Sequence, residues 1–272
     1  MNSPAEVAKN YINIGKGKVN TPVSKMILLA IMAGAFIAFG GVGSTTVAVS
    51  VGEASLGKFL GACVFPGGLT MVLLAGSELF TGNCLLTIPL LEKEIKFSGM
   101  MKNWVVVYIG NLIGALIVAA IVIFGHQATL FSNGMAVSIL NTAASKCSLS
   151  FGDALLKGIA CNFLVCIAVW ISFAAKDVFG KIIGLFFPIM LFVLCGFEHS
   201  IANMYFIGAG LFAKTNDAFI QVAADAGVDI SSVTWGNYFG KNLLPVTIGN
   251  IIGGAVCVGC VYWFVYLRKK EK

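Results

Sequence analysis

Gly76-Ser77-Glu78-Leu79-Phe80-Thr81-Gly82-Asn83 and, 120 residues further on, Gly196-Phe197-Glu198-His199-Ser200-Ile201-Ala202-Asn203 share the pattern G-x-E-x-x-x-x-N. Each lies in a long apolar run, and each is preceded by a Phe-Pro pair, Phe65-Pro66 and Phe187-Pro188. The runs, 59–91 and 182–213, would make straight helices near ~50 Å long. A hydrocarbon core of roughly 30 Å takes about 20 residues. Each run is therefore too long for one crossing and too short for two with a turn. One crossing, interrupted at the motif, satisfies both limits.

Working outward, the runs 26–51, 103–125, 158–175 and 242–267 each fit a single crossing, giving six in all. Composition agrees: of 272 residues 58% are hydrophobic and only 11% charged, with a mean hydropathy of +0.92. A soluble domain carries about 25% charged residues. Disorder, coiled coil, nucleic-acid binding and a secreted disulfide scaffold are excluded together, and an all-α polytopic membrane protein is expected. Lysine and arginine orient it. With both termini cytoplasmic, 13 of the 18 basic residues fall inside, including Lys9, Lys16, Lys18, Lys25 and the tail Arg268, Lys269, Lys270 and Lys272. Lys58, Lys146, Lys157, Lys214 and Lys241 fall outside. No apolar signal-peptide core is found among the first two dozen residues.

A second match turns the pattern into a repeat. Asn103 with Gly110-Asn111-Leu112-Ile113-Gly114 parallels Asn242 with Gly249-Asn250-Ile251-Ile252-Gly253, at a constant offset of 139. Three crossings per copy make the second enter from the opposite side. That is a 3+3 inverted repeat, in which interrupted helices meet near the midplane. The expected organisation is one channel domain, 1–272. It divides into a cytoplasmic amphipathic segment (1–24), a first half (25–125), an extracellular loop (126–157), a second half (158–267) and a cytoplasmic tail (268–272). Ser3-Pro4-Ala5-Glu6 reads as a capping box with proline at the first helical position. Val7, Tyr11 and Ile14 then give an apolar face, expected to anchor at the interface, with a cap over the pore as the alternative.

Ionisable groups inside a membrane are costly and mark function; here they are Glu78, Glu198 and His199. The two glutamates occupy equivalent positions and are expected to satisfy donors at the breaks. His199 has no counterpart, because Leu79 stands in its place. Burial favours a neutral imidazole and an approaching anion favours the protonated ring, so His199 is placed to donate a hydrogen bond or a proton. Lys146 reads as a loop lysine or as a focus for anions at a vestibule. The cysteines, seven of eight in apolar stretches and Cys147 in a polar loop, imply no disulfide framework. No metal or other cofactor is expected.

At these residues the sequence resembles the formate–nitrite transporter family. The stretches that carry the resemblance are Gly196–Met204 (GFEHSIANM), Pro245–Gly254 (PVTIGNIIGG), Ala75–Gly82 (AGSELFTG) and Asn162–Trp170 (NFLVCIAVW). Among members it looks most like a hydrosulphide ion channel. The resemblance implies an aquaporin-like protomer, a homopentamer with one pore per subunit, and passage of small monovalent anions such as formate, nitrite or hydrosulphide across the cell membrane. It further implies constrictions at Phe65, Leu69, Leu79, Val165 and Phe192, with Thr81 near His199. Asn162 and Glu198 would support that histidine, Asn250 would line a polar chamber, and Lys146 would stand at the outer vestibule. A weak-acid anion meeting His199 between apolar rings would be protonated, cross as a neutral species and dissociate again. A proton-coupled carrier and an aquaporin-like channel for neutral solutes are the alternatives. The absence of N-P-A caps at the breaks speaks against the second. No H-E-x-x-H, G-x-S-x-G or paired-Asp constellation supports an enzyme.

Overall fold

The computed structural model describes residues 1–51 and 53–268 and is helical throughout its regular parts. In chain order the helices are α1 (Pro4–Asn20), α2 (Val23–Ala48), α3 (Ala54–Leu74), α4 (Phe80–Leu91), α5 (Phe97–Phe124) and α6 (Gly134–Cys147). They continue with α7 (Phe151–Ala174), α8 (Val178–Leu194), α9 (Ser200–Ala213), α10 (Asp217–Asp225) and α11 (Trp235–Tyr266). Five of them, α2, α3, α5, α7 and α11, are long and apolar enough to cross a membrane individually. The two sequence motifs fall where α3 gives way to α4 and where α8 gives way to α9. Lys269, Lys270 and Lys272, which weigh in the charge assignment, lie outside the described residues.

The long helices pack at backbone distance because glycine stands at their crossings. A Cβ on Gly34 of α2 would meet the Asn111 carbonyl of α5, and one on Gly114 of α5 would meet the Ile31 carbonyl of α2. The pair α7 and α11 repeats this: a Cβ on Gly253 would meet the Ile159 carbonyl and one on Gly249 the Leu155 carbonyl. Such small-residue crossings replace the hydrophobic drive that lipid removes. The outward faces stay apolar, as at Ile109, Ile117 and Ile121 of α5. Only lipid or another apolar surface can cover them.

Two segments differ from the sequence expectation. The stretch read as a loop, 126–157, contains all of α6 and the first turns of α7. Met135, Ile139, Leu140, Ala143 and Cys147 of α6 form a buried stripe at helical spacing, so Cys147 is a core residue and Lys146 a helical one. The N-terminal helix does form from its capping box, but its apolar face is spent on protein. Val7 and Tyr11 are each 1% exposed. Tyr11 meets Phe173 edge-on at 5.7 Å and donates to the Gly82 carbonyl at 3.4 Å. A face buried in this way is not free to lie in an interface. Lys16 adds an exposed ion pair to Glu94, at 2.7 Å.

The glycine crossings make a direct prediction. Gly114→Val forces side-chain volume onto the Ile31 carbonyl and is expected to destabilise the protein by about 1–3 kcal/mol, the usual cost of overpacking. The midpoint of denaturant unfolding in detergent measures it. An unchanged midpoint counts against the crossing geometry.

Candidate transport site

Both breaks are built by the same local chemistry. Each upstream helix ends at a glycine in the left-handed region, Gly76 at φ +81° and Gly196 at φ +68°. The next amide closes back on the helix, Ser77 N to Val72 O and Phe197 N to Phe192 O, both at 3.0 Å. This is a glycine-terminated helix end that satisfies its own last carbonyls. The chain then runs extended through Leu79 and His199 before the next helix starts.

An asparagine from a neighbouring helix satisfies the remaining backbone groups. Asn111 accepts from the Phe80 amide at 3.0 Å and donates to the carbonyls of Ala30 (2.8 Å) and Glu78 (2.9 Å). Asn250 accepts from the Ser200 amide at 2.9 Å and donates to the carbonyls of Gly158 (2.8 Å) and Glu198 (3.0 Å). The glutamate amides add Glu78 N to Leu29 O and Glu198 N to Lys157 O, both at 3.3 Å.

The carboxylates are held in the same duplicated way. Glu78 accepts from Lys18 at 2.8 Å and from Asn83 at 2.7 Å. Glu198 accepts from Lys146 at 2.9 and 3.0 Å and from Asn203 at 2.6 Å. Asn83 donates further to Asn103, and Asn203 to Asn242. Lys18 on α1 is thus the counterpart of Lys146 on α6, a role the sequence reading missed. The signal was present: Lys18, Leu29 and Ala30 correspond to Lys146, Lys157 and Gly158 at a constant offset of 128.

His199 and Thr81, one from each break, meet at 2.9 Å between His199 Nε2 and Thr81 Oγ1. Thr81 is fully buried and His199 is 3% exposed. His199 also caps α9, its Nδ1 accepting from the Ala202 amide at 3.1 Å. A ring nitrogen that accepts carries no proton, so in the neutral ring the proton sits on Nε2, an assignment made from the hydrogen-bond network. Nε2 then donates to the Thr81 hydroxyl, leaving the Thr81 proton for another acceptor.

Two cavities lie near this pair; His199 lines the first, and Thr81 lines neither. One, of about 100 Å³, is lined by Phe65, Lys146, Phe192, Glu198, His199 and Asn203, among others. There Phe65 meets Phe192 edge-on at 5.6 Å, and Phe192 stacks on His199 at 5.7 Å. The other, of about 30 Å³, is lined by Tyr11, Lys18, Leu69, Leu79, Val169 and Phe173, among others. Of the residues singled out by sequence, Phe65, Phe192, Glu198, His199 and Lys146 line the first cavity, and Leu69 and Leu79 the second. Val165 is buried and lines neither; Val169, one turn on, lines the second cavity. Asn250 lines neither, its amide being committed to backbone. Asn162 holds the Thr81 carbonyl at 3.2 Å and the Asn250 carbonyl at 2.6 Å, so it positions Thr81 rather than touching the imidazole.

The family model described as formate/nitrite transporter matches residues 5–264. The chain belongs to the formate/nitrite transporter family. It is 38% identical to a probable formate transporter of Methanothermobacter thermautotrophicus, covering 98% of both chains. It is 35% identical to the formate channel FocA of Escherichia coli K12, covering 98% of this chain and 95% of that one. Among solved structures, a pentameric formate channel with formate bound is similar at a TM-score of 0.80 and 34% identity, over 90% of this chain and 98% of the other. An ion channel of the family is similar at a TM-score of 0.80 and 27% identity, over 96% of this chain and 98% of the other. As a family member with several membrane-capable helices, the protein is a multi-pass membrane transporter, and the family is one of transporters rather than enzymes.

Glu198 is 5% exposed, so its charge depends on Lys146. Lys146→Met is expected to lower stability by about 3–5 kcal/mol, the cost of stranding a buried charge. Adding Glu198→Gln should recover most of that loss. Denaturant midpoints of the two single variants and the double variant test this, and additive losses contradict the pairing.

Proposed function

We propose that the protein conducts small monovalent weak-acid anions through each protomer, with formate the first substrate to test. The observation that carries this reading is the His199–Thr81 pair, buried at the meeting of the two breaks, with His199 in the cavity walled by Phe65 and Phe192 and a second cavity walled by Leu69 and Leu79 nearby. Apolar walls strip or reject well-hydrated ions. Neutral His199, by donating to Thr81, leaves the Thr81 O–H as the donor for an anion that has shed its water, and its own N–H follows where the anion displaces that contact. The similar proteins whose names state a substrate name formate or nitrite, which favours those anions over the hydrosulphide expected from the sequence. No residue in the site reads out sulfur, so hydrosulphide is a comparison arm of the same experiment.

The geometry bears on how the histidine acts. A proton passed from Nε2 to the anion requires one taken up at Nδ1, and Nδ1 faces the Ala202 amide proton. Proton transfer must therefore break the cap of α9, whereas hydrogen-bond donation leaves it intact. We favour donation.

For the architecture, we propose six crossings in two inverted triplets, with α3–α4 and α8–α9 each forming one interrupted crossing in an aquaporin-like protomer. The duplicated asparagine, glutamate and lysine contacts support that reading. The homopentamer and the cytoplasmic termini are part of the same proposal. The pentameric relative supports the first and the lysine distribution the second. On this orientation Tyr11 and Lys18 stand at the cytoplasmic mouth.

Flux of formate, nitrite, hydrosulphide and chloride through purified protein in liposomes tests the substrate class. The expected order places the weak-acid anions far above chloride; equal passage of chloride or of a neutral solute such as glycerol overturns it. Thr81→Val, which removes the free hydroxyl, should lower formate flux about tenfold, the loss of a well-placed donor. Tyr11→Ala removes the ring from the small cavity and should raise formate flux several-fold. No change in flux would show that α1 does not limit passage.

A further inference from the structure

The helices α5 and α11, related by the offset of 139, differ in their winding. Helix α5 is regular from Phe97 to Phe124, whereas α11 carries π-helical stretches at Tyr238–Leu243 and Ile252–Cys260. A π-helical turn closes from i to i+5, is rare, and is mostly a single turn near a functional site. The nine residues Ile252–Cys260 therefore call for a cause. A helix ladder opens where a foreign side chain inserts into it. Two side chains do so here. Asn162 of α7 donates to the Asn250 carbonyl at 2.6 Å, and Thr87 of α4 donates to the Ala255 carbonyl at 3.3 Å. Among the described residues no side chain donates to the counterpart carbonyls of α5, those of Asn111 and Leu116.

Glycine admits both side chains. A Cβ on Gly254 would meet Asn162 Nδ2, and one on Gly259 would meet Thr87 Oγ1. The counterparts in α5 are Ala115 and Ala120, which carry that Cβ. Both contacts also lead to the transport pair. Asn162 donates to the Thr81 carbonyl at 3.2 Å, and Thr87 follows Thr81 in the same helix, α4. Asn250, whose carbonyl Asn162 takes, holds the Glu198 carbonyl and the Ser200 amide with its side chain, and these two groups flank His199. Just past the end of α4, Glu92 accepts from Trp263 of α11 at 2.6 Å. Helix α4 is thus held near its start, middle and end. The middle hold is the adjustable one. The Thr87 hydroxyl has a single proton and two carbonyls in reach, Cys84 of its own helix at 3.1 Å and Ala255 at 3.3 Å.

We propose that Thr87 is a positioning residue for transport. Its bond to the π-helical stretch of α11 sets the register of α4 against α11, and with it the distance between the Thr81 hydroxyl and His199. Thr87 lines neither of the two cavities near that pair and acts only through α4. The inference rests on the transport reading above and adds to it the residue that keeps the donor pair together.

Two readouts on the full chain in liposomes test this, one of them independent of transport. The chain has two histidines, and His126 is exposed in the turn after α5. With isotope-labelled histidine, the nuclear magnetic resonance signal of His199 Nε2 reports its bond to Thr81. Thr87→Val, which keeps the side-chain shape and removes the hydroxyl, should shift that signal and leave the His126 signal in place. Formate flux should fall about threefold, the weakening of one neutral hydrogen bond. Thr87→Ser should restore both readouts. In a Thr81→Val background, Thr87→Val should bring no further loss, because coupled residues are not additive. Gly259→Ala, which drives a methyl onto the hydroxyl, should reproduce Thr87→Val and serves in its place should that variant fail to assemble. An unmoved His199 signal, a full further loss in the Thr81→Val background, or a serine variant no better than valine each overturns the inference. A wild type that passes no formate overturns the transport reading, while the His199 signal still decides whether Thr87 positions Thr81.

Discussion

A helix interrupted inside an apolar environment frees backbone N–H and C=O groups that lipid cannot satisfy. In this protein Asn111 and Asn250 meet that constraint, each clamping one break by an amide and two carbonyls. Asparagine suits the task because one short side chain carries both donor and acceptor functions. Much of the surrounding packing serves these clamps. Gly34 and Gly114 bring α2 and α5 together where Asn111 must reach two carbonyls, and Gly249 and Gly253 do the same for α7, α11 and Asn250. The left-handed glycines end the upstream helices so that the extended residues fall within reach of the clamps.

The contacts that hold the two breaks are duplicated, and the proposed donor pair lies where duplication fails. Glu78 and Glu198, Lys18 and Lys146, and Asn83 and Asn203 match in partner, and their polar groups hold the breaks, except that Asn203 Oδ1 has no partner among the described residues. Leu79 and His199 do not match. Leucine leaves the first downstream helix without a side-chain cap, whereas His199 caps the second and still points Nε2 at Thr81. Thr81 in turn belongs to the first break, so the donor pair needs both halves.

The all-helical membrane class and the place of the two matched motifs between helices were legible in the sequence because both rest on spacing. Run length against bilayer thickness called for an interruption in each long run, and the repeated G-x-E-x-x-x-x-N placed it at 76–83 and 196–203; the helices give way at 75–79 and 195–199, overlapping the start of each motif. Other features were hidden for physical reasons. The helix α6 is amphipathic rather than continuously apolar, so a hydropathy count passes over it. Lys18 looked like one of several cytoplasmic lysines, because an ion pair across 60 residues leaves no local trace. Val169 and Val165 lie one turn apart on the same helix face, and sequence alone does not say which reaches the cavity. The Val7 and Tyr11 stripe was seen correctly as apolar. An apolar stripe does not reveal whether lipid or protein will cover it.

A neutral histidine is a better choice for the central position than a residue with a stronger hold. A lysine would bind an anion with the full force of a charge in a poorly screened site, and conduction requires release as well as entry. An asparagine free to rotate would present an acceptor as readily as a donor, and the acceptor repels the anion. His199 escapes both difficulties because its Nδ1 is occupied by the Ala202 amide. What remains is a single N–H of fixed direction, donated to the hydroxyl of Thr81, a residue whose backbone carbonyl is in turn held by Asn162. The N-cap of α9 therefore does more than end a helix. It sets the tautomer, and with it which nitrogen of His199 faces Thr81 as a donor.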